Sequence, residues 1–317
     1  MSEGSSYPDL LARVREALEG PIRGINGYEP AFVWGIFQDG LGKLREELTS
    51  SFGASVSVNG VFCHGRPVVE FDHPKAPADT RGCELGDLLI VVNHVFPHGR
   101  EQGRALLLQC KMADRPQVGL RQKLLYQDWP RFTYQRFRDV RRKVSPAPHS
   151  GAQFAFIDRE DGTIILAQDP KKPKSANPWM DSLASFVVAM IHPPPGGGRP
   201  FLSHGSRFSD PHGWSPLVWD LLQTTFSNDS YKGEARVFEP GSVHFLLQLN
   251  APLPSLLASS EFAAEADALR QSVAAGDFSA ESDVSPSGDR PRDTDSDDAG
   301  IPAMLIEFDW RTADEPG

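Results

Sequence analysis

The chain has 317 residues, 39% of them apolar and 23% charged, with a net charge of −10. That is the composition of a globular protein long enough to bury a core without staples. No apolar run approaches the roughly 18 residues that a membrane helix needs, and residues 1–8 lack the charged-then-apolar layout of a secretory leader, so the expectation is a cytoplasmic protein with no membrane partner. Three cysteines (Cys63, Cys83 and Cys110) without C-x-x-C spacing offer neither a disulfide framework nor a zinc knuckle.

Leu10–Glu19 has helical periodicity and stops at Gly20-Pro21. Glu29-Pro30 opens a longer helix, with Phe32, Ile36, Phe37, Leu41, Leu44 and Leu48 at helical spacing. Ser55–Val61 and Arg66–Phe71 read as a hairpin, followed by a Pro-rich loop from Pro74 to Gly82. Asp87–Val95 and Arg104–Met112 are the strongest strand signals in the chain. Gln117–Trp129 is helical, and Gln153–Ile157 with Thr163–Ala167 forms another hairpin. Ser182–Ile191 and Pro216–Phe226 read as helices, Val243–Leu249 and Ala303–Phe308 as buried strands, and Glu261–Ala275 as a further helix. The 28 glycines and 27 prolines predict long loops.

Charge is unevenly placed. Residues 277–298 hold eight acidic residues against Arg290 and Arg292, in a Ser/Pro/Gly/Asp-rich stretch that predicts a disordered acidic linker over 276–300. From Arg100 to Lys143 the balance reverses to net +8, with Phe132, Tyr134 and Phe137 interleaved. A local basic stripe is the footprint of a phosphate-backbone binder whatever the global charge. Arg115, Arg121, Lys123, Arg136, Arg138, Arg141 and Arg142 are the candidate nucleic-acid contacts.

If residues 96–103 are the turn between the two strong strands, Asp87 lies opposite Lys111 and Leu89 opposite Gln109. Gln109 and Lys111, two apart, share one face of their strand. A lysine in an apolar strand needs an anionic partner, and Asp87 supplies one. Glu84-Leu85-Gly86-Asp87, then a strand bearing Gln109-Cys110-Lys111, resembles the signature of the PD-(D/E)XK nuclease superfamily in its Q-x-K form, as in Mrr-like enzymes. Gln122 and Tyr126, spaced i, i+4 on one helix face, are similar to the Q-x-x-x-Y motif of the RecB-like branch. The resemblance covers residues 27–170.

The resemblance implies an α/β fold with a restriction-endonuclease-like α-β-β-β-α core and mixed sheet. It divides the chain into an N-terminal helix (1–26), the nuclease core (27–170), an α/β C-terminal extension or accessory region (171–275 and 301–317), and the linker between its parts. It implies a DNA endonuclease dependent on Mg²⁺, with Mn²⁺ able to substitute, held by Asp87, Gln109 and a further carboxylate. Glu84 and Glu29 are the candidates for that carboxylate, and Glu46 and Glu47 are alternatives from the same long helix. Gln109 brings an oxygen but no charge, which favours a single cation. Lys111 would position the attacking water or meet charge developing on phosphorus, with Gln122 and Tyr126 beside it. The pattern is also similar to nuclease effectors of bacterial anti-phage systems, which implies a companion ATPase, SMC-like or helicase-like, since this chain has no Walker motif. Assembly into an oligomer is compatible with this reading. A non-catalytic binding or scaffold protein on a degenerate core, and an RNA endonuclease, are the rival readings.

Other constellations read as structural. His94 and His98 straddle a strand end, Gly196–Gly198 does not join a strand to a helix, and Ser203, His204 and Asp210 lack a nucleophile elbow. Trp179, Trp214 and Trp219 read as core.

Overall fold

The first helix, α1 (Tyr7–Glu19), buries Leu10, Leu11, Val14 and Leu18 along one stripe. The structure, a computed structural model, describes residues 6–52, 54–62, 67–76, 82–97, 101–135, 140–171, 181–192, 197–202, 210–226, 236–237 and 301–311. The long helix expected from Glu29 is present as α2 (Glu29–Gly35) and α3 (Leu41–Ser51), joined by a π-helical turn at Ile36–Gly40. The π turn keeps Phe37 and Leu41 against the sheet, where Gly60 permits the approach: a Cβ there would lie 2.8 Å from the Phe37 ring.

The sheet strands are β1 (Ser55–Val61), β2 (Val68–Glu70), β3 (Gly82–Glu84), β4 (Leu88–Val95) and β5 (Glu101–Met112). After α4 (Leu120–Asp128) come β6 (Phe132–Tyr134), β7 (Arg141–Arg142), β8 (Ala152–Ile157) and β9 (Ile164–Ala167). Then follow α5 (Leu183–Ile191), β10 (Arg199–Phe201), α6 (Trp214–Phe226), β11 (Arg236–Val237) and β12 (Ala303–Asp309). The large sheet runs β11-β1-β12-β4-β5-β8-β9, with β10 also on β5. It is mixed: β12 is parallel to β4 and β8 to β5, and the other pairs are antiparallel. A small antiparallel sheet runs β3-β2-β6-β7.

The fold is α/β. Helices α1, α2, α3 and α5 cover one face of the large sheet, and α4, α6 and the small sheet cover the other. With both faces covered, β4 is buried at every residue, which explains its unbroken apolar run. Ser182 caps α5 by accepting the N–H of Ser185 at 3.2 Å.

The tertiary structure departs from one expected strand pairing. Ser55–Val61 and Arg66–Phe71 do not pair, because β1 joins the large sheet and β2 the small one. Helix α1 packs against α3 and α5 as part of the core layer. The strand expected near Ala303–Phe308 is present as β12, which lies in the large sheet between β1 and β4. Val243–Leu249, Glu261–Ala275 and the acidic stretch 276–300 lie outside the described residues.

Candidate active site

β4 enters the large sheet with Leu88 opposite Leu108, and that register runs to Val95 opposite Glu101. The turn is therefore shorter than the sequence reading had it. Extending that register by one residue puts Asp87 opposite Gln109, not Lys111, and Leu89 pairs with Leu107. A slip of two residues preserves which face each side chain takes. Gln109 and Lys111 still project with Leu107 toward the α4 side, while Leu108 and Cys110 face the other layer.

Asp87 is fixed by the end of β5. Its N–H donates to Leu108 O at 2.7 Å. Its Oδ2 accepts the Cys110 N–H at 2.7 Å and the Gln109 side-chain Nε2. Gly86 makes the approach possible, since a Cβ there would lie 2.7 Å from Leu107 Cδ1 and 3.2 Å from Leu108 O.

Burial pushes the Asp87 carboxyl up to about 7. The Lys111 charge and the Cys110 N–H oppose the shift, while the negative charges of Glu84 and Glu29 add to it. The structure thus brings Asp87, Gln109, Lys111, Glu84 and Glu29 into one electrostatic neighbourhood. Gln109 is fully buried, and its carbonyl oxygen Oε1 has no hydrogen-bond partner. Of the alternative carboxylates, Glu47 is spent on Arg13 at 3.4 Å and Glu46 faces solvent.

α4 packs against β3. Tyr126 is buried against Phe154 and Trp129, and its hydroxyl donates to Leu85 O at 2.9 Å. This ties α4 to the segment that presents Glu84 and Asp87. Gln122 lies one turn earlier on α4 and is half-buried. Residues 71–76 hold the helix at both ends. Arg121 donates to Phe71 O at 2.9 Å with its guanidinium 5.4 Å from the Phe71 ring, and His73 Nε2 meets Asp128 at 3.0 Å. Gly86, the Cys110 N–H, Leu85 O and Phe71 were not legible as site residues, because each acts through backbone or through a contact distant in sequence.

Among the described residues, no three His, Cys, Asp or Glu side chains form a ready-made metal cage. The groups present nevertheless fit a divalent cation bound together with substrate. Such ions are commonly held by one or two carboxylates plus phosphate and water oxygens. Asp87 is a desolvated carboxylate, and Gln109 Oε1 is a buried oxygen lacking a donor. An unmatched polar atom of that kind is costly unless something meets it.

The basic stripe is broken up by folding. Arg142 pairs with Asp220 through Nε at 2.7 Å and Nη2 at 2.8 Å, and Tyr134 donates to the same carboxylate at 3.1 Å. Arg104 is spent on the carbonyls of Gly197 and Gly198. Arg121 is engaged with Phe71, and Lys123 is half-buried. Arg115 and Arg141 are exposed; Arg136 and Arg138 lie outside the described residues.

The remaining constellations are structural where described. His94 stacks on Phe308 at 4.9 Å, Trp214 and Trp219 are core, and Asp210 caps α6 by accepting the Ser215 N–H at 2.8 Å. His98, Trp179, Gly196, Ser203 and His204 lie outside the described residues. No helix among the described residues is long and apolar enough to cross a membrane. No family model, no curated protein and no solved structure matches the chain.

Proposed function

We propose that this chain is a divalent-metal-dependent phosphodiesterase of the restriction-endonuclease-like type, cleaving DNA. The observation that carries the reading is the junction of Asp87 with Gln109 at the end of β5, with Lys111 on the same face of that strand two residues on. A carboxylate, an amide oxygen and an ammonium are the groups that phosphoryl transfer uses; here Asp87 contacts Gln109 and lies within the electrostatic reach of Lys111, Glu84 and Glu29.

Asp87 and Gln109 Oε1 would hold the cation, with Glu84 or Glu29 adding charge. When bound, the cation supplies Lewis acidity to the phosphate and lowers the pKa of the attacking water. Lys111 holds that water or meets the charge that develops on the phosphate oxygens. Tyr126, through Leu85 O, and Gly86, through the close approach to β5, keep Asp87 against Gln109. Arg115 and Arg141 carry sequence-independent attraction to the backbone. A companion ATPase and a role in anti-phage defence rest on the motif resemblance alone.

The test is incubation of the protein with plasmid DNA, linear DNA and RNA in Mg²⁺, Mn²⁺ or EDTA, beside Asp87→Ala and Lys111→Ala. Cleavage of DNA that needs the metal and falls roughly a thousandfold in each variant is the expected result. Cleavage of RNA alone would move the substrate class. Binding without cleavage under every condition would leave a scaffold on a degenerate core.

A further inference from the structure

β12 is the last strand among the described residues, yet it lies in the middle of the large sheet. Its seven residues pair one by one with β1, antiparallel, and with β4, parallel. Met304, Ile306 and Phe308 enter the core layer beneath α1–α3 and α5, and Ala303 and Leu305 enter the opposite layer. The other neighbour of β1 is β11 and that of β4 is β5, so among the described strands β12 bridges them.

Both ends of the strand are pinned. Thr225 on α6 accepts the Ile301 N–H at 3.1 Å and donates to Ile301 O at 2.9 Å. Pro302 O accepts the Leu89 N–H at 2.8 Å. At the far end Trp310 donates its N–H to Val95 O at 2.9 Å and its Nε1–H to His94 Nδ1 at 3.2 Å. Midway, Glu307 Oε2 accepts from Asn93 at 3.3 Å. Residues 238–300 separate this strand in sequence from β11.

We propose that the slot between β1 and β4 is an acceptor site for an extended apolar strand, and that residues 301–311 fill it as a separable latch, docking without need of the covalent connection. The slot has the chemistry of strand addition: two rows of main-chain donors and acceptors, apolar layers above and below, and a buried polar position opposite Asn93. An empty slot would leave two long unpaired strand edges beside open core. The latch also reaches the candidate site. Leu89, which donates to Pro302 O, is two residues from Asp87, so the latch steadies the strand next to the contact that Asp87 makes with Gln109. Only this last link rests on the nuclease reading; docking itself does not.

The experiment uses the full chain with a specific protease site introduced within residues 283–290 and cut after folding. Residues 301–317 should then co-elute with the body in size-exclusion chromatography, and the thermal midpoint should stay that of the intact protein. After separation of the pieces in urea, the body refolded alone should lose its cooperative melt. An equimolar peptide of residues 301–311 should restore it, and the same peptide carrying Ile306→Pro should not. A fragment that washes away from a body melting as before would overturn the proposal. So would a cut protein that precipitates despite the peptide, because the covalent connection would then be required. If the melt recovers while neither intact nor reassembled protein cleaves DNA, the latch stands and the nuclease reading falls.

Discussion

The side-chain amide of Gln109 donates to Asp87 Oδ2, while its own carbonyl oxygen, fully buried, accepts nothing. One residue thus restrains the acid and holds out an unmatched oxygen beside it. Burial disfavours the Asp87 charge and pushes its carboxyl up to about 7, and it must ionise to take a cation. Mg²⁺ or Mn²⁺ affinity should therefore climb up to roughly tenfold per pH unit below 7 and level off above it. Gln109→Glu adds a second negative charge, so affinity should rise above pH 7. Calorimetric titration from pH 6 to 8.5 checks both; equal affinity in the two proteins would remove Gln109 from the ligand set.

Gly86→Ala forces a Cβ to 3.2 Å from Leu108 O and 2.7 Å from Leu107 Cδ1. The backbone that carries Asp87 has to yield. Overpacking of this kind costs about 1–3 kcal/mol of stability. The cleavage rate should fall roughly a hundredfold while DNA affinity changes little, since misplacement acts on the reacting geometry. A variant with the wild-type rate would show that the close approach does not set the site.

Arg142 and Arg141 are adjacent but should behave oppositely. Arg142→Ala leaves Asp220 buried without its bidentate partner, at a cost of about 3–5 kcal/mol in urea unfolding. Arg141 is exposed. Its substitution by Ala should leave the urea midpoint in place and reduce the slope of log affinity against log salt by about 1. The reverse pattern would return Arg142 to the nucleic-acid surface.

Glu307 is buried beside Asn93, and its carboxyl is pushed up to about 7, chiefly by burial and then by Glu101 and Asp309. Between pH 4.5 and 7 the folded state therefore binds more protons than the unfolded one, so stability falls as pH rises through that window. Glu307→Gln removes the titration. The wild type should lose roughly 3 kcal/mol relative to the variant between pH 4.5 and 7, and the gap should be constant outside that range. Parallel pH profiles in thermal melts would mean that Glu307 stays ionised in the fold.

Local pattern carried most of the secondary structure. The apolar runs of β4 and β5, the helical spacing of α1 through α3, and the β8–β9 hairpin are all set by short-range periodicity. The same alternation was enough to put Gln109 and Lys111 on one face, and a register error of two residues could not undo it. Tertiary structure decided what depends on partners distant in sequence. The chemistry of β1 is satisfied equally by β2 or β12, and only the closure of the whole sheet selects β12. A basic residue reads the same in sequence whether it faces solvent, like Arg141, or Asp220, like Arg142. Beyond Gln109, the hold on Asp87 comes from a glycine and from backbone groups at Leu108 and Cys110, and every sequence carries such groups. Their meaning arises only when the fold brings them within hydrogen-bonding distance of a buried charge.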